Sequence, residues 1–201
     1  MQKDWMDTDI RAHPLTLKHW KSFEKLFGAR GACGGCWCMW WKMTRSEFEK
    51  NKGESNREAM KALVKSGIEP GILVFNGNEP VGWCAVGPRE NYPSLERSRI
   101  LRRIDDQPVW SVVCFFIAKP WRRRGVGLFL LKSAGTFAAS HGAAILEGYP
   151  VEPRKERTAD VFVYTGLAST FRKAGFQETA RRSPTRPIMR LALGGAVSEK
   201  R

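Results

Sequence analysis

Residues 110–131 read Trp110-Ser-Val-Val-Cys-Phe-Phe-Ile117, Ala118-Lys-Pro-Trp121, Arg122-Arg-Arg-Gly125-Val-Gly127 and Leu128-Phe-Leu-Leu131. This order predicts a buried strand over 110–117, a tight turn, and a helix over 126–140. Glycine has no Cβ, so the backbone at positions 125 and 127 can turn sharply and approach a ligand closely. The helix would point its unpaired amides and the positive end of its dipole at the turn. The three arginines add donors that suit phosphate, so the stretch predicts a phosphate-binding turn.

The spacing of the glycines decides between the known phosphate-binding turns. A dinucleotide-binding turn needs Gly-x-Gly-x-x-Gly, but Leu130 occupies the position of the third glycine. The nucleoside-triphosphate loop, Gly-x-x-x-x-Gly-Lys-Ser/Thr, is absent from the sequence. An ordinary surface turn with a solvated basic run remains the alternative, and the flanking strand and helix argue against it.

Two motifs resemble those of one family. Arg122-x-x-Gly125-x-Gly127 resembles the pyrophosphate-binding motif of the GNAT superfamily of N-acetyltransferases, and Phe171-Arg-Lys-Ala-Gly175-Phe176 resembles its Tyr-x-x-x-Gly-Phe element. The predicted order of elements is also similar over about residues 10–193. The resemblance implies a mixed α/β fold, with a central, mostly antiparallel twisted sheet and helices on both faces. We expect one domain over residues 1–193 and a flexible C-terminal tail over 194–201.

Composition limits the class of protein. The chain has 201 residues, of which 42% are hydrophobic, which is enough for one domain with a real core. It has five cysteines, a polar N-terminus and no apolar run of membrane-spanning length, which predicts a soluble, cytoplasmic protein with reduced thiols. The formal net charge of +14 raises nucleic-acid binding as an option. The positive residues are dispersed, however, and no zinc-finger, helix-turn-helix or RNP pattern appears, so we do not take nucleic acid as the main partner.

The remaining elements follow from hydrophobic periodicity and from turn residues. One helix is expected over Leu15–Phe27, with Leu17, Trp20, Phe23 and Phe27 on its inner face. A second helix is expected over Arg45–Gly67, and Asn76-Gly77 predicts a hairpin between two apolar strands. Further expectations are a short helix over 94–104, a strand over 143–147, a helix over 166–174 and a last strand over 186–193.

The resemblance implies acetyl-CoA as co-substrate, with the acetyl group passing directly to a primary amine of a small molecule or a protein. The pantetheine arm would bond to the strand backbone at Phe115, Phe116 and Ile117. The pyrophosphate would be held by the turn, whose residues are Arg122, Arg123, Arg124, Gly125, Val126, Gly127 and Leu128. A thioester is already reactive, so such an enzyme mainly aligns the amine and polarises the carbonyl group.

The proton donor departs from the family pattern. The tyrosine that often protonates the departing thiolate would fall at position 171, where this chain has Phe171. Either another group substitutes, or the thiolate leaves without enzymatic protonation, which a thiol of ordinary pKa tolerates near neutrality. We take Tyr164 as the first substitute, ahead of Ser169 and Thr170. Glu147 is the candidate general base, with Glu152 as the second candidate. Each also has a simpler interpretation, since Tyr164 could be a packing residue and a carboxylate at a strand end is usually solvated.

The stretch Cys33-Gly-Gly-Cys36-Trp-Cys38-Met-Trp-Trp41 is rich in thiols and indoles. A structural zinc site needs four ligands, and the other two cysteines lie in predicted strands, so we expect no metal. A nucleophilic cysteine stays open, although the sequence offers no obvious histidine partner. By the resemblance this region lines the acceptor side, where we expect five substrate-binding residues: Trp37, Trp40, Trp41, Tyr149 and Glu152. The alternative function is a non-catalytic protein of the same fold that binds CoA or nucleic acid, and a homodimer is an open option.

Overall fold

The structure is a computed structural model that describes residues 9–153 and 163–194. Within these residues, one sheet is formed by the strands β1 (Ile10–Pro14), β2 (Gly71–Asn76), β3 (Glu79–Pro88), β4 (Trp110–Ile117), β5 (Ile145–Gly148), β6 (Gln177–Arg181) and β7 (Pro187–Ala192). Their order across the sheet is β1-β2-β3-β4-β5-β7-β6. Neighbouring strands are antiparallel except for β4 and β5, which are parallel. The expected mixed α/β architecture is confirmed.

Helices cover both faces of this sheet. They are α1 (Trp20–Phe27), α2 (Arg45–Lys50), α3 (Glu54–Lys65), α4 (Pro93–Glu96), α5 (Val126–Ser140) and α6 (Ala168–Lys173). Side chains of α1 and α3 pack in one apolar core, with Phe23 and Met60 fully buried. Side chains of α5 and α6 pack in a second core on the opposite face, with Leu130 and Phe171 fully buried. The sheet therefore separates two cores, and the buried apolar side chains of its strands divide between them.

A β-bulge interrupts the regular pairing of β4 with β3. Ala85 pairs with Cys114 but Val86 pairs with Val112, so Val113 is an extra residue in β4. Pairing of β4 with β5 covers only the three residues from Trp110 to Val112. Bulges bend a strand and end its regular pairing. β5 ends at Gly148, opposite Val112, whereas β4 goes on pairing with β3 as far as Ile117.

Two predicted helices differ from the observed ones. The first begins at Trp20, after a short 3-10 turn over Leu17–His19, and Leu17 is 55% exposed rather than buried. The 3-10 turn has a tighter period than an α-helix, so it rotates Leu17 away from the inner face. The second divides into α2 and α3 at Gly53, whose φ of 88° is left-handed and therefore interrupts a right-handed helix.

Other boundaries shift by a few residues. The helix expected over 94–104 shortens to α4, β5 begins two residues later than expected, and α6 and β7 lie inside their expected ranges. The strands β1 and β6 were not predicted at all. Both are edge strands, and β6 is mostly exposed, so neither has the alternating apolar pattern of a half-buried strand.

Within the described residues, no helix combines the length and the hydropathy that a membrane crossing requires. The tail expected over 194–201 lies outside the described residues apart from Gly194.

Candidate active-site cleft

A cleft of about 1550 Å³ lies beside the end of β4 that extends past its pairing with β5. Four parts of the chain line it: the segment between α1 and α2, the end of β4, the arginine-glycine turn with the start of α5, and the residues around α6. The turn and the tryptophan-cysteine segment are nearly 90 residues apart in sequence. The fold therefore joins in one cleft the two stretches that sequence analysis singled out separately.

The arginine-glycine turn has the geometry of an anion-binding helix start. Gly125 precedes α5 with a left-handed φ of 87°, and Arg123 also has a positive φ of 60°. The first amides of an α-helix, here those of Val126 and Gly127, have no intrahelical carbonyl partner. A Cβ built on Gly127 would make ordinary van der Waals contacts with Ile117 Cδ1 at 3.7 Å and with Thr170 Cγ2 at 4.0 Å. The turn therefore fits the pyrophosphate of CoA.

Not every residue predicted for this turn lines the cleft. The residues of the turn that do so are Arg122, Arg123, Gly125, Gly127 and Leu128. Val126 is buried in the core beneath α5, so it can contribute only its backbone. The guanidinium of Arg124 lies 5.8 Å from the centre of the Trp121 ring, outside the lining of the cleft.

The backbone of β4 already has partners inside the chain. Phe115, Phe116 and Ile117 all line the cleft, as predicted from the resemblance. However, the Phe115 amide donates a hydrogen bond to the Tyr164 carbonyl at 2.6 Å, and Arg122 Nε donates to the Ile117 carbonyl at 2.9 Å. A pantetheine arm that used these groups would have to replace both bonds.

Aromatic side chains form the opposite wall. Trp40 packs edge-to-face on Phe48 with ring centres 5.0 Å apart, and the Trp41 ring lies 6.3 Å from that of Tyr164. All four line the cleft. Trp37 does not, contrary to the prediction: it is 4% exposed and stacks on Phe27 inside the core.

The Tyr164 phenol is part of the cleft lining. Burial raises the pKa of its phenol, so the hydroxyl carries its proton at neutral pH. Phe171, at the position of the family tyrosine, is fully buried, and its ring packs on Phe115 and Phe176. Phe171 lines the cleft without offering a proton.

Three predicted site residues lie outside the cleft lining: the carboxylates Glu147 and Glu152, and Tyr149. Glu147 and Tyr149 are 1% and 0% exposed and do not line the cleft. Glu147 Oε1 accepts hydrogen bonds from Arg89 at 2.9 Å and from the Tyr149 hydroxyl at 2.6 Å, while its Oε2 accepts from Arg190 at 2.7 Å. Glu152 pairs with Arg172 and with another arginine on the surface. The candidate base Glu147 therefore lies outside the cleft lining, where two arginines hold it in a buried ion-pair network.

Four thiols line the cleft beside the aromatic wall: Cys33, Cys36, Cys38 and Cys114. The Trp83 indole donates a hydrogen bond to Cys38 Sγ at 3.1 Å. The pKa of the Cys38 thiol is below its ordinary value despite burial. The causes are hydrogen bonding from Cys114 and from Trp83 and the positive charge of Lys42. Burial raises the pKa of Cys36 to about 11. Sequence reasoning missed the approach of Cys38 to Cys114, because only the sheet register brings these distant residues together.

The cleft lining, as far as the structure describes it, contains no aspartate, glutamate or histidine. Its titratable groups are the four thiols, the Tyr164 phenol, Arg122, Arg123 and Lys173. Among the described residues, no group of three or more cysteine, histidine or acidic side chains is arranged to hold a metal ion.

Comparisons with known proteins agree with this geometry. The model of the acetyltransferase (GNAT) family matches residues 37–157. GNAT-family acetyltransferases from Listeria monocytogenes and Streptococcus agalactiae have similar structures, with TM-scores of 0.56 and 0.53 and sequence identities of 6% and 13%. The alignments cover 92% and 91% of this chain and 95% of each relative.

The PaiA N-acetyltransferase from Thermoplasma acidophilum, solved in complex with coenzyme A, has a TM-score of 0.51 and 12% identity, over 92% of this chain and 99% of that one. No curated protein matches the sequence. At these identities the structural neighbours establish the fold alone, whereas the family model covers more than half of the chain. The chain therefore belongs to the GNAT acetyltransferase family, and its general chemistry is acetyl transfer that depends on acetyl-CoA.

Proposed function

We propose that the protein transfers the acetyl group of acetyl-CoA to a primary amine of a small molecule or a protein. One observation carries this proposal: Gly125 and Gly127 of the phosphate-binding turn line the same cleft as Trp40, Trp41 and Tyr164. The pyrophosphate would bind at the turn, and the acetyl group would reach the aromatic wall through the opening beside β4.

The cleft supplies the elements that acyl transfer needs. Its walls can align an amine with the thioester carbonyl, and alignment accounts for a large part of the rate in such reactions. The protonated phenol of Tyr164 can supply a proton to the departing CoA thiolate. CoA itself supplies the activated acetyl group.

The wall also limits the acceptor. Indole faces attract organic cations, so Trp40 and Trp41 suit an amine with an aromatic or apolar body. No carboxylate is available among the described lining residues to bind a polycation. We therefore favour a monoamine of low polarity over a polyamine as the acceptor.

The first test is thermal unfolding with acetyl-CoA, with ATP and heparin as polyanion controls. A ligand at 100 times its dissociation constant stabilises the folded state by about 2.7 kcal/mol. We expect a clear shift with acetyl-CoA and smaller ones with the controls. Equal shifts with all three would indicate general anion binding, and the absence of a shift with acetyl-CoA would remove the basis of the proposal.

A matched pair of variants locates the binding site. Gly125 and Gly142 flank opposite ends of α5 and have similar left-handed φ values of 87° and 80°. Alanine at either position introduces comparable backbone strain, but only Gly125 lines the cleft. Gly125→Ala should weaken acetyl-CoA binding, whereas Gly142→Ala should not. Screening amines for thiol release then identifies the acceptor, and binding without turnover by any amine would favour the non-catalytic alternative that Phe171 suggests.

A further inference from the structure

Two thiols of the cleft are separated by only two glycines. Cys33 is exposed and Cys36 is half-buried, and both are free thiols. Both line the cleft, beside Trp40 and Trp41. Thiol–disulfide exchange needs access to the sulfur, so Cys33 is open to a reagent from solution.

The backbone between the two cysteines forms a tight turn. The Cys36 amide donates a hydrogen bond to the Cys33 carbonyl at 3.1 Å. Both central residues are left-handed, since Gly34 has φ and ψ values of 57° and 33° and Gly35 has a φ of 70°. This is the pattern of a type I′ turn, for which Gly-Gly is a preferred pair. The end Cα atoms of a β-turn lie within about 7 Å, and a disulfide spans about 4.4–6.8 Å between Cα atoms.

Contacts with helix α3 and the residue before it hold this turn in place. The Gly35 carbonyl accepts hydrogen bonds from the Gly53 amide at 3.0 Å and from Asn56 Nδ2 at 3.1 Å. Asn56 is fully buried. A Cβ on Gly35 would collide with the Gly53 nitrogen, so glycine is required at this position. The fold therefore keeps the ends of the turn close together, and joining them costs little further conformational entropy.

The two thiols differ in their surroundings. The Cys36 thiol donates a hydrogen bond to the Gly31 carbonyl at 3.4 Å, and burial raises its pKa to about 11. The thiolate is the nucleophile in exchange, so Cys36 is a slow first attacker at neutral pH. Once the exposed Cys33 has reacted, Cys36 has a target at the other end of the same turn. Its attack is then intramolecular, with a high effective concentration.

We propose that Cys33 and Cys36 form a reversible disulfide in the wall of the cleft, by exchange with a low-molecular-weight disulfide such as oxidised glutathione. In the first step the Cys33 thiolate attacks one sulfur of oxidised glutathione, the S–S bond breaks, and the released thiolate takes up the proton that Cys33 lost. In the second step Cys36 loses its proton and attacks the sulfur of Cys33, and the second glutathione leaves with that proton. One protein dithiol and one oxidised glutathione thus become one protein disulfide and two reduced glutathiones. An excess of reduced glutathione reverses both steps.

The disulfide would change one wall of the cleft. It replaces the hydrogen bond from Cys36 to Gly31 by a covalent link between Cys36 and Cys33. The phosphate-binding turn belongs to a different part of the lining. The pair is thus a modification site through which the thiol–disulfide balance of the surroundings acts on the cleft, and it does not depend on the proposed acetyl transfer.

A competing pair lies deeper in the protein. Cys38 and Cys114 are hydrogen-bonded to each other, but Cys38 is only 4% exposed. A disulfide reagent in solution reaches an exposed sulfur before a buried one. The proposal therefore predicts that oxidation joins Cys33 to Cys36 and leaves Cys38 as a thiol.

Peptide mapping tests this pairing. The protein is incubated in a glutathione buffer that is mostly oxidised, alkylated in denaturant at mildly acidic pH, and digested with trypsin. Cleavage after Arg30 and Lys42 gives peptide 31–42, which contains Cys33, Cys36 and Cys38, whereas Cys114 lies in peptide 104–122. We expect a disulfide within peptide 31–42 and the alkyl group on Cys38. A link between the two peptides, or alkyl groups on both Cys33 and Cys36, would overturn the proposal.

Variants separate the two steps. Cys36→Ser should stop with glutathione attached to Cys33, Cys33→Ser should carry neither the adduct nor the disulfide, and Cys38→Ser should form the disulfide as the unaltered protein does. A glutathione adduct that persists on Cys33 of the unaltered protein, as it does in Cys36→Ser, would show that the turn does not close and would contradict the proposal.

The unaltered protein in urea is the control for the geometry. Because the folded turn holds its ends together, the ratio of disulfide to glutathione adduct should be higher in the folded protein than in the unfolded chain. Equal ratios would refute the argument from the turn. Thermal unfolding of the reduced and oxidised protein with acetyl-CoA is a separate measurement: no shift in either form would remove the proposed function and leave the disulfide site intact.

Discussion

Replacing Glu147 by glutamine tests whether this buried carboxylate supports the fold rather than the chemistry. The substitution keeps the size of the side chain but removes the charge that pairs with Arg89 and Arg190. The amide N–H groups of the new glutamine would also face an arginine N–H, so that two hydrogen-bond donors oppose each other. Removing one partner of a buried ion pair costs about 3–5 kcal/mol. Each arginine keeps a second carboxylate, Glu96 or Asp105, so we expect a cost at the low end, about 3 kcal/mol.

Urea and thermal unfolding measure this cost. For a chain of this size, about 3 kcal/mol corresponds to a fall in Tm of about 6–12 °C. Glu152→Gln is the matched control, because Glu152 also contacts two arginines but its side chain is 31% exposed. Surface pairs contribute about 0–1 kcal/mol, so the control should stay near the unaltered protein. Equal stability of the two variants, with acetyl transfer lost only in Glu147→Gln, would refute the structural role and restore Glu147 as a candidate base.

Three other outcomes are expected. Gly148→Ala should lower the free energy of unfolding in urea by about 1–3 kcal/mol, because a Cβ there would lie 2.1 Å from Cε1 of the buried Phe171 ring. Adding Phe171→Leu to this variant should recover part of the loss. Gly135→Ala, in the interior of α5, should gain about 0.5–1 kcal/mol, since its Cβ would meet only an ordinary contact at 3.4 Å; a loss would show that α5 packs more tightly than described. The hydrogen bond from Arg190 lowers the pKa of Asp105 below 3.8, so the pairing stabilises the folded state above pH 3.8, and this stabilisation is lost as the pH falls through the folded pKa. Asp105→Asn should therefore reduce the fall of the urea unfolding midpoint at acidic pH. An unchanged dependence of the midpoint on pH would contradict the pairing.

The parts of the molecule that follow from local sequence were predicted well. β4 and α5 have the predicted bounds, because an apolar run, a glycine turn and a helical run specify their own boundaries. The environment of Glu147 was not predictable in this way. Its partners Arg89 and Arg190 lie 58 and 43 residues away, and only the pairing of β3, β4, β5 and β7 in one sheet brings them to one point.

The thiol cluster shows the same limit. Alternation along β4 would place Val113 and Cys114 on opposite faces, but the extra residue at the bulge leaves both in the same core. Bulges are set by the pairing of two strands and have no dependable sequence signal. The approach of Cys38 to Cys114 depends on that irregularity and on two left-handed residues, which no periodic pattern encodes.

The hydrogen bond from the Phe115 amide to the Tyr164 carbonyl has a consequence for ligand affinity. A ligand that needs this amide binds only the fraction of molecules in which the bond is open, so its apparent Kd is the intrinsic Kd divided by that fraction. If one molecule in about ten is open, the affinity falls about tenfold, equivalent to about 1.4 kcal/mol. For an acyl donor that uses this amide, the segment that carries Tyr164 would set the concentration needed for binding, and substitutions in that segment would change it without altering the phosphate-binding turn.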